Sequence, residues 1–200
     1  MGELGGRRQL IGYDSASLGG WNPATGERFW EHVPREGSDF NVTTPLIHDG
    51  QLLLATENNA TRLHGFLPNG KIDPKPALAN NSLAPDTCSP VIVGDRVFAT
   101  AYGEMYCLNL KDGMKTVWVA EDDMFFDHTN VIGGNGRVLA WANSGDLLLL
   151  DAAADEFKPL SRLRPFGDGK VDSMSHPAIA GNRLYLRGPS ELACFKLGGD

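Results

Sequence analysis

Four stretches of this chain can be laid over one another, and that internal repeat restricts its fold more than any other feature. Residues 44–56, 89–100, 129–141 and 176–187 each read as a short apolar run, a two-residue turn and a second apolar run. The turns are Asp49-Gly50, Gly94-Asp95, Asn135-Gly136 and Gly181-Asn182. Such pairs accept the positive φ that tight hairpins require. Pro45, Pro90, Asn130 and Pro177 mark equivalent places, spaced 40–47 residues apart. A third apolar run follows each of the last three hairpins, at 104–110, 146–151 and 191–197. A fourth closes the unit, clearest at 116–119 and looser at 157–164. Ahead of the first hairpin, 9–13, 17–23 and 28–32 supply a second, third and fourth strand.

Units of four antiparallel strands and 40–45 residues have the dimensions of propeller blades. A four-stranded sheet cannot bury both faces alone, and radial stacking of neighbouring sheets does so with the first strand innermost. The runs Leu52-Leu53-Leu54 and Leu147 to Leu150 are apolar on both faces, as sheets held between sheets should be. The expected fold class is therefore all-β, a β-propeller with blades at 7–37, 43–83, 88–121 and 128–168 and an incomplete blade at 175–197. Residues 1–6 read as too short and glycine-rich for a good inner strand, which leaves eighteen strands, about four and a half blades. That number suggests the C-terminal part of a seven- or eight-bladed propeller, whose missing N-terminal blades would cover the exposed sheet faces. The rival arrangement is a five-bladed ring closed by residues 1–16.

Composition excludes several function classes. A net charge of −7 leaves no basic face for phosphate neutralisation, so nucleic acid is not expected as a partner. No apolar run approaches the 18 residues of a membrane span, and residues 1–6 carry no signal-peptide core. Cys88, Cys107 and Cys194 form no C-x-x-C pair and no adjacent pair. Cys107, Leu149 and Cys194 share one repeat position, which reads as a small buried apolar site.

The segment Asn22-Pro23-Ala24-Thr25-Gly26-Glu27-Arg28-Phe29-Trp30 resembles the tryptophan-docking turn of PQQ-like repeats, D-x-x-T-G-x-x-x-W, with Asn in the place of Asp. A second copy, residues 109–118, keeps Gly113 and Trp118. Gly26 permits the turn, and Trp30 offers a plate that wedges between adjacent blades. Copies at 67–71 and 151–155 are degenerate. The resemblance to PQQ-like propellers, BamB-like outer-membrane-assembly lipoproteins among them, spans nearly the whole chain. It implies a periplasmic or secreted location and a scaffold that holds a protein or peptide partner.

Topology gathers the loops leading into the inner strands, and those joining second to third strands, on one polar face around the channel. Its candidate binding residues are Asp39, Asp86, Tyr102, Glu104, Asp127, His128, Asn143, Asp172 and His176, with Asp127-His128 the densest point. A carboxylate beside an imidazole can act as an acid–base pair or a metal ligand, although neighbours on an extended segment point to opposite faces. No G-x-S-x-G elbow, phosphate loop or D-x-D-x-D-G calcium loop is present. No catalytic, cofactor or metal residue is therefore assigned. Two other readings stay open. The resemblance also reaches PQQ- and calcium-dependent alcohol or sugar dehydrogenases, many of which hold a disulfide of adjacent cysteines against the quinone. A carbohydrate-binding surface on Tyr102 and Trp141 is the other.

Overall fold

The computed structural model describes every residue except Ser38, Phe40, Lys170, Gly199 and Asp200. Nineteen strands are present among the described residues, arranged as consecutive antiparallel meanders. Blade 1 contains β1 (Gly2–Leu4), β2 (Arg7–Tyr13), β3 (Leu18–Trp21) and β4 (Arg28–His32). Blade 2 contains β5 (Leu46–His48), β6 (Gln51–Thr56), β7 (Ala60–His64) and β8 (Leu78–Asn80). Blade 3 contains β9 (Val91–Val93), β10 (Arg96–Ala101), β11 (Glu104–Asn109) and β12 (Lys115–Glu121). Blade 4 contains β13 (Thr129–Gly134), β14 (Arg137–Ala142), β15 (Leu147–Asp151) and β16 (Pro159–Leu163). Blade 5 has three strands, β17 (Ala178–Ala180), β18 (Arg183–Arg187) and β19 (Leu192–Lys196). The inner strands β5 and β13 both approach β9, so first strands face the axis.

One strand departs from the sequence expectation. Residues 2–4 do form an inner strand, with Gly2 opposite Gln9 and Leu4 opposite Arg7. The glycines that look too loose are the turn itself: Gly5 and Gly6 take φ of 56° and 76°, a conformation costly for side chains with a Cβ. Leu4 then reaches the core, and its carbonyl accepts from Gln9 Nε2 at 2.7 Å. Blade 1 is thus four-stranded, and the count rises from eighteen to nineteen.

A blade with a neighbour on each side buries both faces because alternate side chains reach opposite neighbours. Leu52 and Leu54 of β6 join a cluster with Leu4, Leu18 and Trp30 of blade 1. Leu53, between them, belongs instead to the large cluster running through blades 3 and 4. The docking tryptophans act across the same seams. Trp30 packs edge-on to Phe66 at 5.8 Å, and its indole N–H donates to Gln9 Oε1 at 2.7 Å. Trp118 packs edge-on to Phe157 of blade 4 at 5.6 Å and donates to the Ala154 carbonyl at 3.3 Å. Gly26 and Gly113 take φ of 75° and 64° in the preceding turns. The degenerate copies keep the rest of that turn: Asn22, Asn69, Asn109 and Asp151 each accept, through the side chain, the backbone N–H two residues on.

Two further residues differ from expectation. Cys194 shares the register of Cys107 but is exposed, because no sheet covers the outer face of blade 5 among the described residues. Trp141 is completely buried beside Phe166, 6.0 Å away, and offers no surface for a sugar to stack on. Replacing Trp118 with Ala is expected to cost about 3–5 kcal/mol in urea unfolding of the chain. Trp21→Ala, which removes a half-buried ring stacked under Arg28 at 5.0 Å, should cost roughly 1 kcal/mol.

Candidate functional site

Antiparallel meanders put the second-to-third turns and the loops leading into inner strands at one end of every blade. The candidate residues all lie there or at the adjoining strand ends, but they settle into four separate groups. Asp39 accepts the Asn58 backbone N–H at 2.8 Å and the Asn59 side-chain amide at 2.6 Å, pinning a blade 2 turn. Asp86 accepts the N–H of Thr87 at 2.7 Å. It lies near Tyr102, whose hydroxyl is raised above its ordinary pKa by partial burial and then by the carboxylates of Glu57 and Asp86. Glu104 accepts the Tyr106 hydroxyl, and burial together with that carboxylate pushes Tyr106 up to about 12.

The fourth group is the tightest. Asn143 is buried, and its amide donates to Asp127 at 3.3 Å and Asp172 at 3.4 Å. Its backbone N–H donates to the His128 carbonyl at 2.8 Å, and its carbonyl accepts from Val171 and Asp172 at 3.1 and 3.3 Å. Asn143 therefore ties the loops before blades 4 and 5 to the β14–β15 turn. His176 lies near this knot, held below the ordinary imidazole pKa by burial and by neighbouring His128. Asp127 accepts the backbone N–H of His128 at 2.9 Å, so its carboxylate is occupied with chain geometry. This is the arrangement of a loop clamp.

The same face carries exposed apolar area. Phe126 lies against Gly103, where a Cβ would come within 2.6 Å of its ring, and is 74% exposed. Tyr102, beside that glycine, is 66% exposed on a left-handed backbone with φ of 54°. Met174, on the loop before blade 5, is also exposed. In the sequence Phe126 reads only as a flank of Asp127, because exposure of one phenylalanine in a pair is decided by the loop's path.

A second polar pocket, of about 520 Å³ between the outer strands of blades 1 and 2, has no sequence signal. The rings of His32 and His64 meet there at 5.0 Å, joined by Arg62. His64 Nδ1 lies 2.9 Å from the Asp73 carbonyl, and Arg62 donates to Thr56 Oγ1 at 3.0 Å. These residues come from different blades, and their meeting depends on the angle between sheets. Among the described residues no three of His, Cys, Asp and Glu converge on a point, and Cys88, Cys107 and Cys194 are free and apart.

Burial, His64 and Arg62 push His32 down to about 4, from an ordinary 6.5. The unfolded chain then binds more protons between those values, so His32 lowers stability as pH falls through that window. The melting temperature should drop from pH 6.5 to pH 4, and should drop less in His32→Gln.

No family model matches the chain, and no curated protein is similar to it in sequence. Among solved structures, BamB from Moraxella catarrhalis superposes with a TM-score of 0.61 at 15% identity, covering 96% of this chain and 62% of that one. The computationally designed Ika8 protein superposes with a TM-score of 0.62 at 11% identity, covering 90% of this chain and 52% of that one. The chain spans less than two thirds of either structure. At these identities the likeness is one of fold, and the fold is that of a β-propeller like the BamB structure.

Proposed function

We propose that this chain is a non-catalytic propeller scaffold that holds a protein or peptide partner on its loop face. One observation carries the reading: Tyr102 and Phe126 are both exposed, the first on a left-handed turn next to Gly103 and the second with its ring against that glycine, and acidic loops frame them. Fixed aromatic anchors within a polar rim are the usual makeup of an interface centre. The surrounding Asp39, Asp86, Glu104, Asp127 and Asp172 give the partner its sign, so it presents basic residues around an apolar one. His128, Asn143 and His176 position the blade 4 to blade 5 side of that face. No cofactor is required, and a periplasmic or secreted location accompanies the BamB-like resemblance.

An array of extended peptides tests this. Peptides with an aromatic residue flanked by Arg or Lys should bind the whole chain. Tyr102→Ala combined with Phe126→Ala should weaken them about 10- to 100-fold, and chelation should leave affinity unchanged. Binding that needs a divalent cation, or dye-linked oxidation of an alcohol or sugar after addition of PQQ and calcium, would contradict the proposal.

A further inference from the structure

The docking register shows where a wedge is missing. Trp30 stands opposite Gly20, and Trp118 opposite Cys107, each next to a β-bulge. Blade 4 has the same bulge, and opposite Leu149 stands Ser161. A second ring is lost beside it: Phe98, which meets Trp118 at 6.0 Å in blade 3, is replaced in register by Leu139. The next blade does not refill the space. A groove of about 880 Å³ lies between blades 4 and 5, walled by Leu139, Leu147, Leu149, Ile179, Leu184 and Phe195.

The clamp across this seam differs as well. Arg96 of blade 3 reaches over to the Ala154 carbonyl and the Asp155 carboxylate of blade 4. Its counterpart Arg137 turns back on its own blade, to the Gly136 carbonyl at 3.0 Å and to Asp151 at 3.6 Å. Arg137 lines the groove together with Lys196 and Arg164, the last held by Asp146 at 2.9 Å. Asp151 engages Arg137 through Nη1 only, at the long distance of 3.6 Å, so this guanidinium is the more loosely held of the two arginines on the rim.

We propose that this groove binds a small planar aromatic carboxylate of one or two rings. The ring system takes the place that an indole fills in the seams after blades 1 and 3, and the carboxylate meets the cationic rim at Arg137. An aromatic ring laid in this open apolar groove removes both its own surface and the groove walls from water. A charge-assisted hydrogen bond to Arg then fixes orientation. The site is separate from the loop face and does not depend on the function proposed for that face.

Indole-3-acetate is the probe, titrated into the whole chain by calorimetry and by amide NMR. Saturable binding with a Kd on the order of 10–100 µM is expected, with shifts confined to β14–β16 and β18–β19. Neutral indole-3-ethanol should bind about 5- to 10-fold more weakly. Arg137→Gln should remove that preference and leave indole-3-ethanol binding unchanged. Ser161→Trp fills the slot from within and should weaken indole-3-acetate at least about 10-fold while raising the melting temperature. Leu139→Phe, which repeats the blade 3 residue, serves the same end if Ser161→Trp does not fold. Absence of saturable binding overturns the proposal, as does binding that survives the folded filling variant. Self-association of the chain that Ser161→Trp abolishes would also overturn it, because a second copy would then be the occupant.

Discussion

A four-stranded blade has two apolar faces and no way to cover either by itself, so everything in this chain depends on how one sheet closes against the next. The contact that closes them is an outer-strand ring driven across the seam: Trp30 onto Phe66, Trp118 onto Phe157. Each indole buries a large area and spends its one polar group on a nearby acceptor, Gln9 or Ala154. Where Leu78 occupies that register in blade 2, Asn80 reaches over to the Met114 carbonyl and Thr116 hydroxyl of blade 3 instead. Where Ser161 occupies it, the seam stays open. The seams thus differ in the residue at this one repeat position, and the last also borders a blade with three strands among the described residues.

The repeat makes most of this fold legible in the amino-acid sequence. Apolar runs of period two, positive-φ turn pairs and the Asn-to-Trp turn encode local geometry, and local geometry is what a sequence states most directly. The inner strand of blade 1 escapes such a reading because Gly5-Gly6 carries opposite meanings as a loose segment and as a left-handed turn; only Leu4's burial separates them. Trp141 escapes it for a related reason. Whether a strand-end aromatic faces solvent depends on the following loop, and here Phe166 covers it.

The candidate site is legible as a face and not as a set of contacts. Asp127, His128, Asn143, Asp172 and His176 gather because the loops before blades 4 and 5 cross the same β14–β15 turn. Asp86 and Tyr102 belong to a different turn, and Asp39 to a third. Chemistry drawn from residue types alone would pair Asp127 with His128, whereas the carboxylate is taken by the backbone. Most of the carboxylates on this face secure loops. That leaves the exposed rings of Tyr102 and Phe126 as the groups turned toward a partner, and the acidic frame as the field that selects it. The His32–Arg62–His64 pocket has no sequence signal, since its members meet only once two blades fan apart.

Native-state amide hydrogen exchange, resolved blade by blade, tests the wedge account most directly. If indole wedges set the strength of each seam, β10, β11, β14 and β15, on either side of the Trp118 seam, should be the slowest to exchange. Strands β17 to β19, beyond the Ser161 seam, should exchange first and as one unit, with β1 to β4 in between. Equal protection in all blades, or protection in β17 to β19 matching that of β10 and β11, would contradict it.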